Sequence, residues 1–355
     1  MKITRELLAA LPKTELHCHL DGSLRVSTAF ELGRELGLTD AGSAEELVEF
    51  YSLGAKHDSL EEYLKAFSFT CSLMQEEKYI RRICRELVED ARAENILHLE
   101  VRYAPMLHTN GGLDMAEVHR IVCDELKNAG EANDVSTTVI VATLRHLDAR
   151  QSTLDASAAV LMKKMLTTAY DLAGPENGFP PSNHAAAINL ARKNGLRVTI
   201  HAGEADGAAS VWDALLNGAE RLGHGVRLVE DACLLKYVAD RQIGVEACLT
   251  SNVQTSAVGA LKDHPLPLFL EKGIAVSLCT DNRLVSATTL TDEYVKAAET
   301  FDLSPDQIAT LSLNGFRTAF APLPRKRELT QKAAKQIKEL FAKNDLHISE
   351  SVFGF

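Results

Sequence analysis

The stretch Thr14-Glu15-Leu16-His17-Cys18-His19-Leu20-Asp21-Gly22-Ser23-Leu24 decides how the rest of the chain is read. Residues 14–20 read as a short strand, and Asp21-Gly22 begins the loop that follows it. Side chains at i and i+2 of a strand share a face, so His17 and His19 point the same way. Two imidazoles in that spacing can converge on one metal ion, or can pack as two satisfied core histidines. The layout recurs downstream. His201 ends an apolar strand and opens His201-Ala202-Gly203-Glu204, His224 lies in Arg221-Leu222-Gly223-His224-Gly225, and Asp281 lies in Ser277-Leu278-Cys279-Thr280-Asp281-Asn282. Metal-competent and proton-transferring groups gathered at strand C-termini are what the active face of a (β/α)8 barrel requires.

The rest of the chain agrees with that reading. Short apolar runs alternate with longer segments of helical period, the pattern of βα units rather than of hairpins. Candidate strands fall at 14–20, 96–103, 136–144, 166–172, 196–201, 221–223, 243–248 and 274–280, which makes eight. Between them lie amphipathic segments such as 77–95, with Ile80, Ile83, Cys84, Leu87, Val88 and Ala91 on one face. The predicted fold is α/β, a closed (β/α)8 TIM barrel spanning residues 1–355 as one domain. Residues 25–95 are too many for one crossover helix and are expected to form a helical insertion after strand 1, over one end of the barrel. Ser304-Pro305-Asp306-Gln307 is a helix start with a capping Ser and Pro at the first helical position. Residues 325–346 are expected to form a terminal helix with a solvated charged face.

Composition bounds the partners. The chain has 355 residues, with 38 Lys+Arg against 49 Asp+Glu and a net charge of −11. Charged residues at 25% and hydrophobic residues at 46% are ordinary for a soluble globular protein. The acidic balance argues against nonspecific binding to phosphate backbones or anionic lipid, so a small-molecule partner is expected, with no nucleic acid and no membrane. The oligomeric state is not legible. Seven scattered cysteines without a C-x-x-C pair read as reduced, mostly buried thiols. Lys2, Arg5 and Glu6 stand where a secretory signal needs an apolar run, and no stretch approaches ~20 apolar residues, so a cytoplasmic location is expected.

Taken in order, the motifs at 14–24, Leu99-Glu100-Val101-Arg102-Tyr103-Ala104-Pro105, Asp171-Leu172-Ala173-Gly174-Pro175-Glu176, 201–204, 221–225 and 277–282 resemble the adenosine deaminase family of zinc-dependent purine deaminases. The resemblance runs from about residue 11 to residue 320. It implies one Zn²⁺ per chain and hydrolysis of the 6-amino group of adenosine, and of 2′-deoxyadenosine, to release ammonia. It further implies His17, His19, His201 and Asp281 as zinc ligands. Three imidazoles and a carboxylate leave a position for water, whose pKa a metal lowers from ~15.7 to about 7. Glu204, His224 and Asp281 are the implied catalytic residues. Glu204 would share a proton with purine N1, which requires a raised pKa; outside this motif it would read as an acid complementing a helix dipole. His224 would orient the water and stabilise developing charge.

The implied substrate contacts are His19, Asp21, Gly174 and Asn282. Gly174 rests on the resemblance alone. Asp21 matches the acid that accepts the ribose 5′-hydroxyl, and relatives acting on free adenine tend to carry Glu there. Many members read Thr-Asp-Asp where this chain has Thr280-Asp281-Asn282; an Asn amide can donate to purine N7 without being protonated. Glu246-Ala247-Cys248-Leu249-Thr250-Ser251-Asn252 also departs from the family pattern and is expected not to touch the catalytic set. Glu100 and Arg102 share a strand face and read as an ion pair or an interior polar network, because buried charges must be paired. Arg145-His146 reads the same way.

Three rivals stand beside this reading. The first is a deaminase of another 6-aminopurine or of a modified adenosine nucleoside. The second is a non-catalytic purine-binding protein, which the loss of a ligand or of the acid would mark. The third, a binuclear hydrolase, needs a bridging Lys at the end of the fourth strand. That strand ends in Ala169-Tyr170-Asp171-Leu172, with Lys163 and Lys164 before it, which favours one metal.

Overall fold

The computed structural model of the protein describes residues 3–354, so Lys2, noted above, lies outside the described residues. Eight strands follow one another around a single parallel sheet: β1 (Lys13–His19), β2 (Ile96–Tyr103), β3 (Ser136–Leu144), β4 (Thr167–Ala173), β5 (Arg197–Ala202), β6 (Arg221–His224), β7 (Gly244–Ala247) and β8 (Val276–Leu278). Each pairs in parallel with its neighbour in sequence. The ring closes through a parallel bridge between Cys18 and Asp281. There the His19 N–H donates to the Asp281 carbonyl and the Asp281 N–H donates to the His17 carbonyl, both at 2.8 Å. The expected TIM barrel is present, and its seam lies beside the candidate metal ligands. Strands β7 and β8 are shorter than predicted, because the chain leaves β7 directly into the helix Leu249–Gln254 and leaves β8 for the turn that carries Asp281.

The strands alternate in an unusual sense. All eight residues of β2 are buried. Leu97, Leu99, Val101 and Tyr103 belong to the apolar core, whereas Glu100 and Arg102 reach partners on β4, β6 and β7 across the barrel. A period of two therefore sorts apolar side chains outward to the helices and charged ones into the barrel. Between β1 and β2 the insertion is helical, as expected, running through Val26–Glu35, Ala44–Phe50, Leu60–Tyr63 and Phe67–Ser72 to Glu77–Ala93. The last of these buries Ile80, Ile83, Cys84, Leu87, Val88 and Ala91, the predicted face.

The opposite end is stoppered by the helix Pro305–Thr318, which has the predicted Ser304 cap with reciprocal bonds to Gln307. Ser312 donates to the Pro12 carbonyl at 2.6 Å and Asn314 to the Val276 carbonyl at 3.1 Å, tying this helix to the starts of β1 and β8. The expected terminal helix spans Leu323–Lys343. Among the described residues no helix is long and apolar enough to cross a membrane. All seven cysteines are free; Cys233 is exposed and Cys71 half-buried, and the other five are buried.

Candidate active site

His17 and His19 end β1, His201 lies in β5, His224 ends β6, and Asp281 follows β8. The C-terminal ends of these strands bring the five side chains to one point. The Asp281 Oδ1 lies 3.2 Å from His17 Nε2 and 3.4 Å from His19 Nε2, and the Nε2 atoms of His19 and His201 face each other at 3.2 Å. His17, His201, His224 and Asp281 can each offer an atom within 4.8 Å of the others. Asp281 (φ 61°) and His224 (φ 65°) both hold left-handed backbone. Such residues cost about 1–3 kcal/mol each and persist where the surrounding structure over-determines them.

Hydrogen bonding decides which nitrogens are free. A carboxylate only accepts, so His17 Nδ1 must donate to Glu246 Oε2 (2.6 Å) and His201 Nδ1 to Asp171 Oδ1 (3.1 Å). In the neutral rings this leaves both Nε2 lone pairs aimed at the centre. His17 Nε2 is buried with no hydrogen-bond partner. Burial lowers the pKa of His19, to about 3, and also that of His201, so both rings are neutral. Burial pushes the Asp281 pKa up, and the adjoining His17 overcomes this and holds it well below the usual range. Burial and the Arg102 charge push the His17 pKa down, and Asp281 and Glu246 overcome them and raise it, so His17 is the ring whose proton a cation would displace. Imidazoles that are neutral (His19, His201) or become so as a cation displaces the proton (His17), two of them oriented by carboxylates, beside an ionised Asp, are the donor set of a divalent-metal site.

His224 differs, and its tautomer follows from a backbone amide. The Leu266 N–H donates to His264 Nδ1 at 3.1 Å, so the neutral His264 donates from Nε2 to Asn252 Oδ1 at 3.3 Å. Asn252 then presents Nδ2 to His224 Nδ1 at 3.0 Å, and the His224 proton sits on Nε2. That atom lies 3.5 Å from Glu204 Oε2. His224 therefore faces the centre as a donor, which separates it from His17 and His201, whose Nε2 lone pairs are free in the neutral rings.

The expectation that residues 246–252 do not touch the catalytic set is wrong. Glu246 orients His17, Ser251 donates to Asp281 Oδ2 at 2.6 Å, and Asn252 sets His224. Glu246 also anchors the interior network. Arg102 spans Asp171 (3.0 Å) and Glu246 (2.8 Å), while Arg221 joins Glu100 (2.6 Å) and Glu246. Glu100 and Arg102 thus sit in one polar network without pairing with each other. Burial pushes the Glu246 pKa up, and the two guanidiniums overcome it and hold the group ionised.

Glu204 is buried, and its pKa is pushed up to about 8, by burial first and then by the charges of Asp281 and Glu176. Its loop hangs on a residue absent from the predicted site. Glu176 accepts from the backbone N–H groups of Gly203 (2.7 Å), Glu204 (2.9 Å), Ala205 (2.8 Å) and Asp206 (3.1 Å), and from the Ser210 hydroxyl (2.6 Å). One carboxylate thereby ties the turn after β4, which carries Gly174, to the turn after β5, which carries Glu204.

These groups line a cavity of about 280 Å³, close to the lower end of the range for small-molecule sites, about 300–1,000 Å³. Its walls include His19, Asp21, Gly174, His201, Glu204, His224, Asp281 and Asn282, together with Leu60, Tyr63, Leu64 and Phe67 from the insertion. Every predicted site residue except His17 lines it; His17 lies behind, fully buried. Gly174 needs its glycine, since its φ is +91°. Asn282 is not the free donor expected: its Nδ2 donates to the Tyr63 hydroxyl at 2.9 Å, and its Oδ1 is the buried atom without a partner. Arg145 is structural, donating to the His201 carbonyl at 2.9 Å, whereas His146 lines the cavity.

The family profile described as adenosine deaminase matches residues 12–336. Over 352 residues the chain is 36% identical to adenosine deaminase of Mycolicibacterium gilvum (strain PYR-GCK), covering 94% of this chain and 97% of that protein. It is 35% identical to the probable adenosine deaminase of Dictyostelium discoideum, over 98% of this chain but only 45% of that longer protein. Among solved structures, the adenine deaminase of Arthrobacter aurescens superposes with a TM-score of 0.85 at 29% identity, covering 92% of this chain and 99% of that one. The N6-methyl-AMP deaminase of Arabidopsis thaliana gives 0.83 at 26% identity, covering 94% and 98%. The profile match over most of the chain and the level of identity place it: this chain belongs to the adenosine deaminase family and is a hydrolytic deaminase.

Proposed function

We propose that the protein deaminates adenosine and 2′-deoxyadenosine to the corresponding inosines and ammonia, with one Zn²⁺ held by His17, His19, His201 and Asp281. The observation that carries this reading is the meeting of these four side chains, at contacts of 3.2, 3.4 and 3.2 Å, with a buried, proton-holding carboxyl, Glu204, at one small cavity that all of them but His17 line. Bound Zn²⁺ supplies a water of lowered pKa as nucleophile for C6.

The chain's own groups do the rest. Glu204, still protonated near neutral pH, gives its proton to purine N1 and so makes C6 electrophilic. His224 donates from Nε2 toward the oxygen that adds at C6, stabilising its developing charge. The Gly174 N–H meets purine N3. For N7 the Asn282 amide turns over, because Tyr63 can donate to Oδ1 as readily as it accepts from Nδ2 while Ser286 keeps its 2.7 Å contact with the same hydroxyl.

Asp21 accepts the ribose 5′-hydroxyl; its Oδ1 is buried and without a partner, which suits an incoming donor. No Lys or Arg is among the described residues lining the cavity, and Asp21 is acidic, so a 5′-phosphate is disfavoured. The side chains come from β1, β5, β6 and the turn after β8, which supports one catalytic domain over residues 1–355. The free thiols support a cytoplasmic location.

The test is a substrate panel read by ammonia release. Adenosine is expected to exceed adenine, 5′-deoxyadenosine and AMP by at least ~10²-fold in kcat/KM, because a buried acceptor left unpaired is costly. Asp21→Ala should shrink that gap by damaging adenosine turnover. Equal kcat/KM for adenosine and adenine moves the protein to free-base substrates, and a preference for a modified nucleoside selects the other alternative.

A further inference from the structure

Two residues that line the same cavity, Asp21 and Cys71, meet His108, and the three come from separate elements. Asp21 comes from the turn after β1, Cys71 from the helix Phe67–Ser72, and His108 from the 3-10 turn Pro105–His108 after β2. Asp21 Oδ2 lies 3.7 Å from His108 Nε2 and 3.8 Å from Cys71 Sγ, and one donor atom from each residue falls within 4.8 Å of the other two. His108 is 1% exposed, yet neither of its ring nitrogens has a hydrogen-bond partner, and Asp21 Oδ1 has none either. A buried imidazole with both nitrogens unsatisfied is costly, which marks a place where something binds. Metal bonds of ~2.0 Å to N or O and ~2.3 Å to S give tetrahedral edges of about 3.3–3.6 Å, within a few tenths of the two separations from Asp21.

We propose that Asp21, Cys71 and His108 form a second, inhibitory site for a zinc-class divalent cation, distinct from the His17/His19/His201/Asp281 centre, whose occupancy excludes the nucleoside. Nitrogen, sulfur and carboxylate oxygen suit a borderline-soft ion, and three protein ligands leave the fourth position open to water. Burial and the neighbouring Asp21 charge keep the Cys71 thiol protonated while the site is vacant. Binding therefore breaks the S–H bond as the S–metal bond forms, and one proton passes to solvent. Exclusion of the nucleoside rests on the proposed role of Asp21 at the 5′-hydroxyl, whereas cation binding does not.

The experiment starts from enzyme carrying one equivalent of Zn²⁺ and titrates further Zn²⁺ against a chromophoric chelator. A second equivalent is expected, with about one proton released per ion. Co²⁺ used as the titrant should give a thiolate-to-metal absorption band on the wild-type protein, a signal that survives any variant's failure to fold. Cys71→Ser and His108→Gln should each weaken the second equivalent at least tenfold, while Cys233→Ser should leave it unchanged. Excess Zn²⁺ should raise the KM for adenosine at constant kcat. Absence of a second equivalent, or its retention at full affinity in both variants, overturns the site. A second equivalent that depends on Cys71 and His108 but is not competitive with adenosine upholds the cation site and overturns the placing of the 5′-hydroxyl at Asp21.

Discussion

Glu204 shows how a single residue is prepared by its surroundings. An acid whose pKa rises from 4.5 to about 8 on folding holds its proton across that window, so the stability it lends is complete below pH 4.5 and is lost as pH rises through 8. Glu204→Gln keeps the shape and cannot ionise. In metal-free protein its Tm should therefore exceed that of wild type by a margin that opens between pH 5 and 8 and then levels; a margin independent of pH contradicts the raised pKa. The same variant should retain zinc and lose 10²- to 10⁴-fold in kcat, the usual worth of a general acid–base group. A drop below tenfold would make Glu204 an ordinary acid at the end of β5. His17, His19, His201, His224 and Asp281 were legible because each stands at a strand end, where period-two geometry and barrel topology fix the direction of a side chain. The protonation pattern was not legible. It runs from the Leu266 amide through His264 and Asn252 to His224, and those contacts exist only in the folded chain.

At the scale of elements, catalysis depends on turns held against one another. Glu176 fastens the turn after β5 to the turn after β4 through four backbone amides and a hydroxyl, and a glutamine has only one oxygen to offer them. Glu176→Gln should lower kcat by about 10- to 100-fold, since misplacing a reacting group by ~1 Å can cost ~10²-fold. Its zinc content should stay at one equivalent, because none of the ligands hangs on this residue. Loss of metal in parallel with activity would show that the turn supports the metal centre instead. Glu176 lay in view within Asp171-Leu172-Ala173-Gly174-Pro175-Glu176, yet a carboxylate five residues past the start of a motif carries no sign that its partners are the amides of another turn. The segment 246–252 was misjudged for a related reason: Glu246 meets His17 across 229 positions of sequence, because closure of the barrel brings β1 round beside β8 and β7.

At the scale of the whole molecule, the barrel interior is a charged lattice that carries the metal centre. Arg102 neutralises Asp171 and Glu246, which in turn orient His201 and His17. Replacing it by Met would leave the buried Asp171 without a guanidinium and Glu246 with Arg221 alone, and removing one partner of a buried ion pair typically costs about 3–5 kcal/mol. Urea denaturation of Arg102→Met should show a loss of that order together with weaker metal retention, and a loss below about 1 kcal/mol would deny the lattice its structural role. The eight strands and their order were readable from apolar periodicity. The ends of β7 and β8 were not, because the turns that cut them short serve the site rather than the sheet. The central claim is that one metal ion on His17, His19, His201 and Asp281 enables hydrolysis of adenosine, and the most direct measurement follows adenosine absorbance alongside metal content. Chelated protein should be inactive, and one equivalent of Zn²⁺ should restore ammonia release in wild type but not in His17→Ala or Asp281→Ala. Near-normal turnover with less than a tenth of an equivalent of metal bound, or by either variant, would contradict it.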